Sequence, residues 1–116
     1  MQYKRSDRVA SQLKEEISNI LLKEIKDPDI NFVTIVKIRL TNDLRFAKIY
    51  YNVIGGPEQK QKAEAGLQRA LPFIRSEIGH RIKLRFVPEL RFIYDDSAEY
   101  ADRIEQLLKK IHDEEK

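Results

Sequence analysis

NDLRFAKIYYNVIGGP, residues 42–57, is the stretch that decides the fold. From Leu44 to Ile54 apolar and polar side chains alternate, and this period of two predicts a strand with one buried and one solvated face. A turn joins it to a β-branched run, Phe32 to Leu40, which predicts the first strand of an antiparallel hairpin. Gly55-Gly56-Pro57 ends the hairpin, and Pro57 is well placed for the first turn of a helix.

The segment before the hairpin has helical periodicity. Apolar residues recur at spacings of three and four from Val9 to Ile25, with charged residues between them, which predicts an amphipathic helix. Ser6 or Asp7 is the expected N-cap. The helix is expected to end near Lys26, because the residue before a proline disfavours α geometry and Asp27-Pro28 follows.

Two helices and a third strand are predicted after the hairpin. The first helix follows Pro57 and carries small residues around Gly66, which suggests a close approach of helix to sheet. Pro72 lacks a backbone donor, so we expect a kink or restart there and a second helix over Phe73 to Ile82. Glu89 to Tyr94 is expected to form the third strand.

One more helix is predicted at the end of the chain. Asp96 to Glu99 has the pattern of a capping box that opens it. Its apolar stripe consists of Tyr100, Ile104, Leu107, Leu108 and Ile111. Residues 112–116 are expected to form a fraying, solvated end.

The resulting order is α-β-β-α-kink-α-β-α, which predicts a two-layer α+β fold with helices packed on one face of a three-stranded sheet. Two helices separate the second and third strands, so the third can pair parallel to the second through a right-handed crossover. This is the order of a KH-like type II domain with one helix appended. We expect a single domain over residues 1–116, with a core at about 6–111 and short flexible termini.

Composition and motifs argue against an enzyme. The chain has no cysteine, which excludes disulfides and thiol chemistry and fits a reducing compartment. His80 and His112 lie on different predicted elements, and the four glycines match no phosphate-binding loop. Asp95-Asp96 suggests either a metal or acid/base pair or, more simply, a helix cap. We therefore predict no catalytic residue, metal or cofactor. With no apolar run long enough for a membrane span, we expect a cytoplasmic protein with no membrane partner.

Charge is unevenly distributed along the chain. Residues 69–91 hold six Lys or Arg against two Glu, a surplus of four positive charges. Residues 95–116 hold eight acids against four bases, a surplus of four negative charges. A chain divided in this way has a basic region that can meet phosphate groups and an acidic end that cannot.

The basic region predicts an RNA contact. A helix that restarts at Pro72 would present free N–H groups to phosphate. The expected RNA-binding side chains are Arg69, Arg75, Arg81, Lys83, Arg85, Arg8, Lys48 and Arg45. Lys37, Arg39 and Arg5 are possible extensions of this surface, and Tyr50 and Tyr94 are possible stacking residues. From charge alone an equal alternative is that the cations are solvated side chains paired with the acidic last helix.

Several motifs indicate a family. The chain carries RVA at 8–10 with a helix ending EIKDP at 24–28, NDLRFAKIY at 42–50, FIRSEIG at 73–79, LRFVPEL at 84–90 and FIYDDS at 92–97. In this order they resemble the ribosome-binding factor A family over nearly the whole chain, from Arg8 to about Ile111.

The resemblance implies a KH-like domain without catalytic activity. It implies binding to the free small (30S) ribosomal subunit and its 16S rRNA near the 5′ end, and a role in late maturation and rRNA processing that matters in the cold. It also implies an interhelical kink, commonly Ala-x-Gly, in place of the usual Gly-x-x-Gly loop. Here that place holds Ala70, Leu71 and Pro72, and proline lacks the conformational freedom and the N–H of glycine. We expect no DNA partner and a monomer.

Three rival functions remain open. A general KH-like module for single-stranded RNA would bind short oligonucleotides and intact subunits equally. An rRNA-processing nuclease would cleave precursor rRNA alone, although the chain lacks the residues for that chemistry. A protein–protein adaptor using the acidic last helix would bind in a manner insensitive to salt and ribonuclease.

Overall fold

A three-stranded mixed sheet organises residues 4–115, the part of the chain that this computed structural model describes. The strand order is β1-β2-β3, with β1 at Val33–Leu40, β2 at Phe46–Val53 and β3 at Glu89–Tyr94. β1 pairs antiparallel with β2, and β3 pairs parallel with β2. The predicted α+β class, the hairpin and the parallel third strand are thus confirmed.

The first helix, α1, spans Arg5–Asn19 and continues as a π-helical turn over Ile20–Glu24. The predicted N-cap at Ser6 or Asp7 is wrong, because Ser6 is buried inside the first turn and Asp7 accepts a hydrogen bond from the backbone N–H of Lys4. The chain leaves helical geometry before Asp27-Pro28, as expected, and Pro28–Ile30 forms a short 3-10 turn.

The second helix, α2, spans Pro57–Arg81 as one element with Pro72 inside it. The predicted restart at Pro72 is therefore wrong, and the two helices expected here are one. A proline inside a helix removes one backbone hydrogen bond and its ring clashes with the preceding turn, which favours a kink or a break unless packing holds the helix together. Ala70 and Ile74, on either side of Pro72, are buried in the same core, which keeps the two halves together. Ala70, Leu71 and Pro72 consequently lie within a helix, where they offer no free helix start to phosphate.

The core lies between one face of the sheet and the two helices α1 and α2. Leu13, Ile17, Ile49, Leu67 and Ile74 are among its fully buried side chains. The close approach of α2 predicted around Gly66 is present, but its partner is the 3-10 turn and not the sheet: a Cβ there would lie 2.7 Å from Ile30 Cγ2.

The third helix, α3, spans Ser97–Glu114 and does not pack on the sheet with the others. Its predicted apolar stripe exists but is exposed, for example 58% at Tyr100 and 55% at Leu107. Asp96 is the N-cap residue, as predicted, but its side chain makes no capping hydrogen bond, so the predicted capping box is wrong. The Asp95 carboxylate instead accepts the hydrogen bond from the Ser97 backbone N–H, at 2.9 Å. Within residues 4–115, no helix is both long and apolar enough to cross a membrane.

Candidate nucleic-acid interface

Arg81, at the end of α2, is held by carboxylates. Its guanidinium bonds the Glu24 carboxylate and lies 3.3 Å from Glu16 and 3.4 Å from Glu77. The hydrogen bond to Glu24 is the main cause that raises the pKa of Arg81. Arg81 thus ties the end of α2 to α1 and its π-helical turn, and its charge is balanced within the protein.

Arg69 has the same kind of role at the 3-10 turn. Its Nη2 lies 2.9 Å from the Asp27 carboxylate and 2.7 Å from that of Asp29. The hydrogen bond from the Asp29 backbone N–H is the main cause that lowers the pKa of Asp27, and the bond from Arg69 lowers it further. The bonds to Asp27 and Asp29 raise the pKa of Arg69. Two of the predicted RNA-binding arginines therefore join parts of the fold.

Other cations of the predicted set lie together where the start of α1 runs beside the end of α2. Arg5, Arg8 and Lys83 line a shallow depression of about 700 Å³ there. Glu15 and Glu16 also line it. Long cationic side chains around an open depression can reach phosphate oxygens without being buried.

A second depression, of about 260 Å³, continues this surface and shares Arg5 with the first. Arg45 and Arg85 line it. We call Arg5, Arg8, Arg45, Lys83 and Arg85 together the basic edge. Among residues 4–115, none of the five has a carboxylate oxygen within 4.0 Å. Their charge, unlike that of Arg69 and Arg81, is available to a partner.

Phe86 lies beside the basic edge, in the second depression, and was not singled out in the sequence. Its side chain is 57% exposed, and the guanidinium carbons of Arg85 and Arg45 lie 5.4 and 6.0 Å from its ring centroid. An exposed ring flanked by arginines can stack an unpaired base. Phe86 stands between Arg85 and Val87 with no local pattern that separates an exposed ring from a buried one, so only the three-dimensional arrangement identifies it.

The hairpin turn positions Arg45 at this edge. The Asp43 carboxylate accepts hydrogen bonds from the Thr41 hydroxyl at 2.6 Å and the Arg45 backbone N–H at 3.1 Å, and these bonds lower its pKa. Leu44 has φ of 64°, a left-handed conformation that is uncommon for a branched side chain. The turn is therefore held in one shape by side-chain bonds at a cost in backbone strain.

The remaining predicted residues lie elsewhere. Arg75 is exposed on α2 and lines neither depression, and Lys48 lies on the face of the sheet opposite the helices. Tyr94, a possible stacking residue, instead packs against Tyr51 at 5.7 Å and donates a hydrogen bond to Glu99. Asp95 is a helix cap, and its bonds to Ser97 lower its pKa. No group of three potential metal ligands occurs in the described part of the chain.

Comparison with known proteins matches most of the chain to one family. The sequence model of ribosome-binding factor A matches residues 5–108. Ribosome-binding factor A of Geobacter metallireducens is 50% identical over 113 residues, which cover 97% of this chain and 96% of that protein.

A crystal structure and a model fitted into a cryo-EM map share the fold. The crystal structure of ribosome-binding factor A from Thermus thermophilus has a TM-score of 0.68 and 22% identity, covering 77% of this chain and 93% of that one. A homology model of the Thermus thermophilus factor, fitted into a cryo-EM map of a 30S complex, has a TM-score of 0.62 and 23% identity. It covers 75% of this chain and 91% of that one.

Proposed function

Because this chain belongs to the ribosome-binding factor A family, we propose that it is a cytoplasmic, monomeric and non-catalytic assembly factor that binds the free small ribosomal subunit. The Thermus thermophilus factor that shares its fold has been fitted into a map of a 30S complex, which supports this partner. The proposal includes contact with 16S rRNA near its 5′ end and promotion of late maturation and rRNA processing, with the greatest need in the cold.

The basic edge is the observation that carries the RNA contact. It gathers five cations from α1, the hairpin turn and the segment after α2, and none of them is ion-paired within residues 4–115. Contacts of this kind fix the position of a protein on RNA through phosphates and shape. Phe86 adds a surface on which one unpaired base can stack.

An assembly factor without catalytic groups acts by differential binding. A ligand shifts a conformational equilibrium only as far as its affinities for the two conformations differ. In this proposal the basic edge fits one arrangement of the rRNA better than the other, and binding moves the subunit toward that arrangement. Rigid positioning of the cations supports such discrimination, and the carboxylate bonds of Arg81 provide rigidity directly beside the edge.

The test removes charge from the edge and leaves the ion-paired arginines untouched. We compare Arg8→Gln/Lys83→Gln/Arg85→Gln with a control, Lys14→Gln/Lys23→Gln/Lys109→Gln, in which three exposed lysines away from the edge are neutralised. Each variant is sedimented with purified small subunits, large subunits and joined ribosomes across a salt series. Equal Tm values confirm that both variants are folded.

We expect the wild type and the control to bind free small subunits alone, and binding to weaken steeply with salt. The edge variant should bind at least about tenfold more weakly and with a salt slope smaller by about two to three, since each lost phosphate contact removes about 0.7–0.9 from the slope. Unchanged binding by the edge variant would show that this surface is not the RNA contact. Equal wild-type affinity for all three particles would favour a general RNA-binding module instead.

A further inference from the structure

The face of the sheet that the helices leave open carries a row of like charges. Arg39 of β1 is paired directly with Lys48 of β2, and Lys48 is paired directly with Arg91 of β3. Directly paired residues project from the same face of a sheet, so the three cations stand side by side across its full width. All three are exposed.

This row is unfavourable for the isolated protein. Like charges directly opposite one another destabilise a strand pair. Among residues 4–115, none of the three has a carboxylate oxygen within 4.0 Å, whereas Arg69 and Arg81 have two and three carboxylate partners. An anion that binds across the strands would relieve the repulsion, and a polyanion would meet all three charges at once.

Aromatic side chains lie on both sides of the cation row. Along β2, Phe46, Lys48 and Tyr50 follow one another at every second residue on the open face. Phe46 is 52% exposed, and Tyr50 is half-buried with the Lys37 ammonium 4.9 Å from its ring centroid. Successive positions on one face are separated by about 6.6 Å, so each ring is within reach of the nucleotide whose phosphate the row would hold.

We propose that the open face binds a single-stranded RNA segment as a second contact, separate from the basic edge. Cations that track the backbone and rings that stack successive bases are the two components of single-strand recognition. A duplex would leave Phe46 and Tyr50 without bases to stack, because its bases are paired inside the helix. The inference rests on the proposed function only in naming the small-subunit rRNA as the source of the strand.

An acidic protein surface is the other partner that charge alone would allow, and α3 of this chain is one. Its first turn, however, is fixed on the opposite side of the sheet. Glu99 accepts a hydrogen bond from Tyr94, whose ring packs against buried Tyr51 on the core face. α3 is therefore not placed to cover the open face of its own sheet, and α3 of a second copy becomes an outcome of the test.

The test uses the full chain and two probes, purified small subunits and a uridine oligonucleotide of about ten residues. Arg39→Gln/Lys48→Gln/Arg91→Gln removes the row, and the control is again Lys14→Gln/Lys23→Gln/Lys109→Gln. We expect the row variant to bind the oligonucleotide about tenfold or more weakly, with a salt slope smaller by about two. Ultraviolet crosslinking of the wild type should attach uridine to Phe46 or Tyr50.

The outcomes separate this inference from the proposed function. If the basic-edge variant loses the subunits but still crosslinks the oligonucleotide at Phe46 or Tyr50, the two surfaces are distinct, as proposed. If the row variant keeps full affinity for the oligonucleotide, the inference is overturned, even when subunit binding falls, because the face would then bind protein. A wild-type dimer that the row variant abolishes would also overturn it, in favour of α3 from a second copy.

A single substitution checks the repulsion itself. Lys48→Glu places a carboxylate between Arg39 and Arg91, and we expect it to raise the Tm by about 2–5 °C while it weakens binding to the oligonucleotide. A gain in stability together with a loss of binding would show that the positive charge of Lys48 serves the ligand and not the fold. A lower Tm would contradict the repulsion argument and with it the inference.

Discussion

The two amphipathic helices α1 and α3 have similar sequence patterns and opposite environments. In α1 the apolar stripe is buried, with Leu13 and Ile17 fully inaccessible to solvent. In α3 the corresponding stripe is exposed, with Leu107 at 55% and Leu108 at 62%. The comparison shows that an apolar stripe predicts a helix with one face suited to burial, without identifying what covers that face.

The difference follows from what the chain places beside each helix. α1 lies against β1 and α2, so its stripe closes the core. α3 follows β3 after only Asp95 and Asp96, and it continues away from the sheet. The radius of gyration of 17.3 Å exceeds the roughly 13 Å typical of a compact chain of this length, as expected when one helix projects.

The largest expected contrast is in amide hydrogen exchange. Opening α1 breaks the core. The backbone amides in its middle, around Leu13 and Ile17, should therefore exchange only through global unfolding, with protection of about 10⁴ or more. A helix of 18 residues that is exposed beyond its first turn is marginal in water, so amides in the middle of α3 should show protection of about tenfold or less. Exchange followed by NMR measures both in one sample. Equal protection in the two helices would mean that α3 is covered in solution.

Matched leucine substitutions test the same contrast in stability. Leu13→Ala removes a fully buried side chain and should lower the free energy of unfolding by about 3 kcal/mol through lost burial and a cavity. Leu107→Ala should change it by less than about 0.5 kcal/mol, since the side chain is exposed and alanine favours helix. Urea unfolding at neutral pH measures both. A loss above about 1.5 kcal/mol for Leu107→Ala would contradict an uncovered α3.

Much of the fold was predictable because it follows from local chemistry. Period-two alternation in β2 and the segment Glu89 to Tyr94 predicted their strands, and the Asp27-Pro28 pair marked where helical geometry ends. The helix restart predicted at Pro72 was wrong because a local rule about proline ignores tertiary packing. Burial of Ala70 and Ile74 in one core outweighs the lost hydrogen bond and the clash of the proline ring with the preceding turn, so the helix continues.

The site was less predictable than the fold. Sequence grouped all arginines between 69 and 91 by their charge, but carboxylates from distant segments engage Arg69 and Arg81 and leave Arg85 available. These partners are about 40 to 65 residues away in sequence, beyond any local pattern. The like-charge row on the open face likewise depends on strand register, which joins Arg39, Lys48 and Arg91 from three separate segments.

Acid titration sharpens the comparison between the body of the domain and α3. Asp27 caps the 3-10 turn in the body and Asp95 caps α3, and both have a pKa lowered from the ordinary 3.8. A carboxyl with a lowered folded-state pKa stabilises the fold above its ordinary pKa, and this contribution is lost as pH falls through the lowered value. The Tm should therefore fall as the pH decreases from about 5 toward 2.

Substitution of the two aspartates should separate the effect on the body of the domain from the effect on α3. Asp27→Asn should lower the Tm at neutral pH and flatten its dependence below about pH 4, because the Asp27 bonds hold the body of the fold. Asp95→Asn should leave the Tm almost unchanged and reduce only the helical signal of α3. Circular dichroism melts at several pH values separate the two. A larger Tm loss for Asp95→Asn than for Asp27→Asn would show that α3 is part of the cooperative unit.

The smallest expected effect is at the junction where α3 leaves the sheet. The hydrogen bond to the Glu99 carboxylate raises the pKa of Tyr94 from 10.0 to about 12. A raised folded-state pKa means that this contact stabilises the junction fully below pH 10 and loses its effect as the pH rises toward 12. The Tyr94 midpoint is measured by phenolate absorbance as the difference between the wild type and Tyr94→Phe. Glu99→Gln should shift that midpoint back toward 10 without changing the Tm, because the body does not depend on α3. A wild-type midpoint already near 10 would show that α3 separates from the body before its first turn, and the contrast with α1 would then be complete.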